Sequence, residues 1–440
     1  MKKTADGEKE KSGALQQRSC SLYGMASCLL QTGGKFAVVV HGPVDCTNVF
    51  MRHVPDGSLS PAARPDFSSD RFFSSALSET DVILGRSEEK LAACIEEVLG
   101  RGEAEILFVL GTCLTEIIGD DIRKVAAKLS GKTGTRIVAV PTSGLELRHQ
   151  PEIADSFERA MLSCVAGRQS KVRGSVALAG LSLGDAGLEE VEAGLRAAGL
   201  KLLVALREFS TIDEWRLAAR ARLVAVVDAG AHRSMISVLG KGRAAACIGL
   251  PPPFGTKATL AFYDAIFKGA GKAAAAGKIF AVPLKAAAEA AGKAAKFLGG
   301  KRVAYETGSA LGFRPGQHAL EGLAPAAVFD ELGMQVELIV QGVDSPENRS
   351  RIERQLDGTG LHRTFRIFQD PGRLPDLLGE GGYDLVYCSD GRREQALASR
   401  IPFLPLGSLE PLLGGMRKNA ALVEAAAGSL FSRRYGRYRG

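Results

Sequence analysis

At 440 residues, 45% of them hydrophobic, the chain is long enough for about three domains of roughly 150 residues each and apolar enough for each to bury a core. That excludes a disordered or fibrous protein. The net charge of +7 gathers at the ends, where Lys2, Lys3, Lys9 and Lys11 exceed Asp6, Glu8 and Glu10 by one charge and Arg433, Arg434, Arg437 and Arg439 add four, leaving about +2 on the body, too little for a basic nucleic-acid groove.

Residues 1–17 read as a charged tail with no signal-type apolar stretch behind it, and no run nears the roughly 18 apolar residues that span a bilayer. The expectation is a cytoplasmic, soluble protein engaging neither membrane nor nucleic acid. From residue 18 onward, apolar strands alternate with amphipathic helices, the pattern of parallel α/β sheets. A first block, 18–168, has strand-like runs at 35–41 (KFAVVVH), 105–110 (EILFVL) and 136–140 (RIVAV), with helices starting near Asp45, Ser87 and Leu114. A second, 169–298, places strands at 174–181, 201–206, 222–228 and 244–249 and helices over 187–198 and around 212–221. Pro251, Pro252 and Pro253 stop its last strand because they cannot continue a ladder. The Ala/Gly/Lys-rich stretch 269–300 is helical by propensity in its second half and reads as a connector. A third block, 299–430, has strands at 301–306, 335–341, 364–369 and 383–388 and helices over 324–332, 346–356 and 418–430, before a basic tail at 431–440. Each block is the size of one doubly wound Rossmann-like unit.

Two motifs invite a phosphate-binding reading and fail it. SGKTGT at 130–135 has Ala126 where a Walker A loop needs glycine, and it ends a predicted helix instead of opening one, so no free N–H groups point at a ligand. Gly277-Lys278 is followed by Ile279, which has no hydroxyl for magnesium. The terminal RRYGRYRG mixes Arg with Tyr as RNA-binding tails do, but the body offers no basic surface to extend it, and a solvated tail is expected.

The eight cysteines are too sparse for a disulfide scaffold, so in a reducing compartment they are free thiols or metal ligands. Cys46, in VVVHGPVDC, follows a strand that Gly42-Pro43 breaks, and Cys113, in LFVLGTCLTEIIGDD, heads the helix after another strand. Both belong at the carboxyl edge of the sheet, where open α/β folds hold ligands, and a helix N-terminus there favours thiolate. Cys20, in RSCSLYG, precedes the first strand on a glycine-punctuated loop and could fold back to the same edge. Cys28, Cys94 and Cys164 lie within predicted helices and Cys247 within a strand, as small buried hydrophobes do; Cys388 ends the strand DLVYC. With 25 and 66 residues between Cys20, Cys46 and Cys113 and no CxxC linking them, spacing alone is a weak metal signal. His41 could hydrogen-bond near these thiols or be a satisfied structural histidine. Glu116 and Asp120, four apart on the helix after Cys113, would share a face toward solvent or a docking partner. Tyr23 and Met25 could shield the thiols or simply pack.

These residues resemble a known family. Cys20, HGPVDC ending at Cys46, and TCLTEIIGDD beginning at Thr112 are similar to the three cysteine motifs of the nitrogenase component 1 superfamily, the molybdenum–iron protein subunits and their relatives. SETDVILGRSEEKL at 78–91, LPPPFGTKATLAFYDAI at 250–266 and, in order, GKRVAYETGSA, LGMQVELIVQG, YDLVYCSDG and IPFLPLGS extend the resemblance over nearly all of 18–430. It implies an α/β fold of three Rossmann-like doubly wound domains around a central cleft. Cys20, Cys46 and Cys113 would supply thiolates to an iron–sulfur cluster, [4Fe-4S] or P-cluster-like, shared with a homologous component 1-type subunit in a homo- or hetero-oligomer. An ATP-dependent iron protein reductase would dock and deliver electrons.

Departures limit what carries over. Gly407 in IPFLPLGSLE falls where a cofactor-binding histidine would stand, and Cys247 lies only four residues before Pro251, too late for the middle-domain cofactor cysteine. The resemblance therefore implies a subunit of a nitrogenase-like oxidoreductase, of the kind that reduces tetrapyrroles or cleaves methylthio-alkanes, without the family's large molybdenum–iron cofactor. The alternatives are a scaffold subunit for nitrogenase-type metal-cofactor assembly and a bilobed ligand-binding protein with structural cysteines.

Overall fold

The structure, a computed structural model, describes residues 20–53, 69–143, 150–165, 170–206, 210–227, 232–240, 246–309, 322–357 and 364–429. The tails predicted at 1–17 and 431–440 lie outside the described residues. The chain forms two compact units, Met1–Ala160 and Met161–Gly440, and the described strands make three sheets in which every pairing is parallel.

The first unit runs α1 (Ser21–Gln31), β1 (Phe36–His41), α2 (Val44–His53), β2 (Phe72–Ser74), α3 (Glu79–Ile83), α4 (Ser87–Gly100), β3 (Ile106–Gly111), α5 (Cys113–Ile118), α6 (Ile122–Thr133) and β4 (Arg136–Pro141), then enters α7 (Gln150–Cys164). Its sheet has the order β2-β1-β3-β4. The central strands β1 and β3 are buried at every residue, which explains their unbroken apolar sequences: helices cover both faces of a parallel sheet. Leu91 and Ile95 of α4 and Val125 and Leu129 of α6 pack on one of those faces against Val39 and Leu107. The chain steps from β1 outward to β2 and then crosses to β3 on the other side. The crevice beyond β1 and β3 is thus the point where the winding reverses and where such sheets hold ligands.

The second unit winds two sheets in the same way. The first contains β5 (Val172–Ala179), α8 (Asp185–Ala197), β6 (Lys201–Ala205), α9 (Ile212–Ala218), β7 (Ala221–Val227), α10 (Arg233–Gly240) and β8 (Ala246–Leu250), followed by α11 (Thr256–Gly269), α12 (Ala276–Ile279) and α13 (Ala281–Leu298). The second contains β9 (Arg302–Ser309), α14 (Ala326–Glu331), β10 (Gln335–Gln341), α15 (Pro346–Asp357), β11 (Thr364–Phe368), α16 (Leu374–Glu380), β12 (Leu385–Cys388), α17 (Arg393–Ala398), β13 (Phe403–Pro405) and α18 (Leu412–Ala427). The strand orders are β6-β5-β7-β8 and β11-β10-β9-β12-β13. One apolar core runs through both sheets.

Three expectations change. The stretch read as a connector is an integral layer, because α13 buries Ala287, Ala291, Ala294 and Leu298 and packs along α18. Cys20 does not sit within a loop; it is the residue before α1, whose Leu22, Met25, Ala26 and Leu29 recur at helical spacing and are buried. The last helix starts at Leu412, not at 418, through Gly414 and Gly415, where low helix propensity hid it. The third sheet also gains β13, too short to show a period.

Two carboxylates tie helices of the second unit together across its two sheets. Glu331, closing α14, accepts hydrogen bonds from the Thr256 N–H at 2.7 Å and the Thr256 hydroxyl at 3.1 Å, capping α11. Glu190 of α8 accepts from the Leu413 and Gly414 N–H groups at 3.1 and 2.8 Å, capping α18. A carboxylate at a helix N-terminus satisfies orphan donors and complements the dipole.

Candidate functional site

The ends of β1 and β3 are neighbours in register, His41 opposite Gly111. Gly42 then passes so close to Thr112 that an added Cβ would lie 2.5 Å from its Cγ2; only glycine fits there. Pro43 ends the strand, α2 begins at Val44, and Cys46 lies in its first turn, half-buried. On the other side Thr112 caps α5: its hydroxyl faces the Thr115 N–H, while Thr115 Oγ1 accepts from the Thr112 N–H at 2.9 Å. Cys113 heads that helix and is exposed.

Cys20 reaches the same edge through its neighbour. The Ser21 hydroxyl donates to the Thr142 carbonyl at 2.8 Å, and the Thr142 hydroxyl donates to the Gly111 carbonyl at 2.5 Å, two residues before Cys113. Cys20 is exposed.

The three thiols predicted from sequence therefore converge, and their electrostatics record it. Burial pushes the Cys46 thiol above its ordinary pKa, and the electrostatic influence of Cys20, Cys113 and Asp45 pushes it further. The lowering expected from the helix N-terminus is not found at Cys46: desolvation and like-charge repulsion move its thiol upward instead. Among the described residues no three His, Cys, Asp or Glu side chains stand close enough to share a single metal ion. One tetrahedral ion, with bonds of about 2.3 Å to sulfur, would need the thiols tighter together; a cluster of several irons and sulfides accepts them further apart.

Beside the thiols lies a polar network that sequence reasoning only touched. His41 is fully buried, its Nδ1 2.9 Å from Ser75 Oγ and its Nε2 3.0 Å from Asp120 Oδ2. The Gly42 N–H donates to Ser75 Oγ at 3.1 Å, and the Ser87 hydroxyl donates to Asp120 Oδ1 at 2.5 Å. Burial holds the imidazole below its usual pKa, against the opposing pull of Asp120 and Glu88. Asp120 is not on the helix with Glu116, as the spacing suggested. Gly119 ends α5 in a left-handed conformation, which turns Asp120 inward to the histidine and leaves Glu116 exposed. Ser75, just after a short strand, carries no motif, and Ser87 was legible only as a helix start within 78–91, so neither was visible as a partner of the histidine or aspartate. Met25 is core.

The remaining cysteines are elsewhere. Cys94 and Cys388 are pushed up to about 11 and about 12, chiefly by burial, Cys164 is buried, and Cys28 is half-buried within α1. Such thiols are poor nucleophiles and ligands. A cavity of about 380 Å³ opens beside the site, lined by Thr115, Glu116, Asp120, Thr142 and Ser143 among others. Val44, Ile83, Leu84 and Ile117 leave large apolar side chains exposed on α2, α3, the turn after it and α5.

A family profile for nitrogenase component 1 type oxidoreductases matches residues 20–409. The chain belongs to that family. Over 138 residues it is 35% identical to the nitrogenase iron-molybdenum cofactor biosynthesis protein NifE of Clostridium pasteurianum, covering 30% of this chain and 28% of that one. Over 141 residues it is 31% identical to the nitrogenase molybdenum-iron protein alpha chain of Methanothermobacter thermautotrophicus, covering 30% and 29%. The chain thus matches less than a third of the length of these relatives. The solved structure of nitrogenase Cp1 at pH 6.5 superimposes with a TM-score of 0.66 at 13% identity, covering 97% of this chain and 91% of that one, so the fold is shared.

Gly407, in the turn after β13, has φ +82°. Cys247 is the second residue of β8, at the strand's entry and so at the opposite edge from a ligand crevice. No helix among the described residues is long and apolar enough to cross a membrane.

Proposed function

We propose that this chain is the subunit of a nitrogenase-like oxidoreductase in which Cys20, Cys46 and Cys113 hold an iron–sulfur cluster at an interface with a homologous subunit. The convergence of the three thiols at the winding reversal of the first sheet carries this reading. Their donor chemistry suits the group: three soft sulfurs whose anionic forms repel one another are stabilised by cationic iron. Thr47 Oγ1, next in chain to Cys46, is buried without a hydrogen-bond partner among the described residues and can donate to a cluster sulfur. Two exposed thiols leave room for a fourth ligand from outside the chain.

When bound, the cluster supplies one-electron transfer. The chain's own residues anchor it through the three thiols and exclude water beneath it with the buried β1 and β3 ends. The exposed Val44, Ile83, Leu84 and Ile117 offer apolar surface to protein partners: the homologous subunit and an ATP-driven iron protein that delivers electrons. The substrate or cofactor lies further along the relay.

A second reading, a scaffold on which a metal cofactor is assembled and handed on, is favoured by the similarity to NifE and by the lack of cofactor ligands at Gly407 and Cys247. Anaerobic co-purification with the partner subunit, followed by iron and labile-sulfide counts, tests the cluster. Absence of both from the wild-type complex, or full retention after Cys46→Ala, would overturn it. Release of the bound metal to an apo-enzyme without turnover of its own would select the scaffold.

A further inference from the structure

We propose that His41 and Asp120 are positioning residues, a clamp that fixes the helix headed by Cys113 against the strand end leading to Cys46 and so sets the spacing of these thiols; the proposal rests on the cluster reading above. The helix in question, α5, has six residues, too few to hold its own geometry in isolation. It is held at both ends by two adjacent residues, His41, which ends β1, and Gly42 after it. At its head, Thr112 lies against the bare Cα of Gly42, with no space for a methyl group. Past its tail, Asp120 receives the His41 imidazole at 3.0 Å. Cys113 follows Thr112 directly, and Cys46 lies four residues beyond Gly42.

The protons of this network arrange themselves in one way that satisfies every group. Ser75 Oγ accepts from Gly42 N–H, and a neutral ring that turns its single N–H to the Asp120 carboxylate leaves Nδ1 to accept the Ser75 proton. The imidazole is then the neutral Nε2–H tautomer, donating to Asp120 Oδ2, while Ser87 donates to Oδ1. The carboxylate receives a donor on each oxygen, and it is 8% exposed beside a fully buried ring. The turn is pinned once more where the Asp121 N–H donates to Glu88 at 3.0 Å. A buried, fully satisfied network of this kind rigidifies its surroundings and specifies one geometry.

The neighbouring Asp121 provides a matched control. Its side chain only caps α6, accepting from the Lys124 N–H at 2.9 Å, and makes no bond to the clamp. In the metal-free full-length chain, Asp120→Ala should speed amide exchange roughly tenfold in residues 42–47 and 112–118 together. Asp120→Asn, which keeps one accepting oxygen, should restore most of the protection, and Asp121→Ala should open only the start of α6. In the cluster-loaded complex, Asp120→Ala should alter the cluster's paramagnetic resonance line shape and midpoint potential, and Asp121→Ala should leave both unchanged at a comparable loss of thermal stability. Unlinked exchange of the two segments, or wild-type spectra in Asp120→Ala, would overturn the clamp. A wild-type complex that holds no iron would count against the cluster reading alone, and the exchange comparison would still decide whether the clamp exists.

Discussion

The first sheet and the two sheets of the second unit are wound alike, yet their carboxyl edges differ in what they offer. At the first edge, Cys46 and Cys113 lie in the first turns of the helices that follow strand ends, two of the three thiols are exposed, and buried serines, a histidine and an aspartate frame them. In the second unit, Cys247 sits at the entry of its strand, and Cys388, although it ends β12, is 1% exposed with its thiol pushed up to about 12. The winding supplies a crevice three times, and chemistry settles where loop residues put donors within reach of solvent and partners.

The sharpest test of that contrast pairs one cysteine from each edge. Cys46→Ala should strip most of the iron from the anaerobic complex and abolish reduction of its cluster, while Cys388→Ala should retain iron and lose only packing, about 1 kcal/mol for a small buried side chain. Iron counts on both variants measure this; equal iron in the two would erase the distinction. Next in size is Gly42→Ala. The new methyl would meet Thr112 at 2.5 Å, a short β-branched side chain already committed to its cap, so an overpacking cost of about 1–3 kcal/mol should appear as a lower urea midpoint. Iron loading should fall with it, because the displaced residue is the cap of the Cys113 helix.

Much of this was legible beforehand, and the failures have physical causes. Buried parallel strands announce themselves as apolar runs, so KFAVVVH, EILFVL and RIVAV correspond closely to β1, β3 and β4. Three-residue strands such as β2 and β13 are too short for any period, and α1 was masked by Gly24, which helix packing overrides. At the site, the thiols could be named because cysteine is rare and its loop context distinctive. The direction of the Cys46 pKa could not: the dipole argument considered one helix end, whereas Cys46 responds to burial and to two other thiols at once. Asp120 was misplaced because a four-residue spacing implies a shared face only while the helix continues, and Gly119 ends it.

The second unit should respond to its caps without touching iron. Glu331→Ala leaves the Thr256 N–H without its acceptor, and loss of a helix cap costs about 1 kcal/mol, a drop of about 2–4 °C in Tm for a body of this size. Calorimetry should show the shift, and the iron content of the complex should stay at the wild-type value. Iron lost in proportion would mean that the cluster edge depends on the second unit more closely than the contrast allows.

The smallest effect belongs to pH and returns to the first edge. His41 is held neutral by burial, with its folded pKa below the ordinary imidazole value of 6.5 that the unfolded chain keeps. Above pH 6.5 both states carry the neutral ring and the histidine's contribution is fully present. As pH falls below 6.5 the unfolded state binds a proton that the folded state refuses, so stability declines, by at most about 1.4 kcal/mol per pH unit, until pH passes through the folded pKa. Urea midpoints of the metal-free chain at pH 7.5 and 5.5 include the other titrating groups as well, so the informative quantity is the difference from His41→Gln, which keeps a donor but cannot titrate. The wild type should lose more stability than the variant over that interval. Parallel losses would mean that the ring is protonated in the fold, with Asp120 winning over burial, and that the first edge is built around a buried ion pair instead of a neutral hydrogen-bonded clamp.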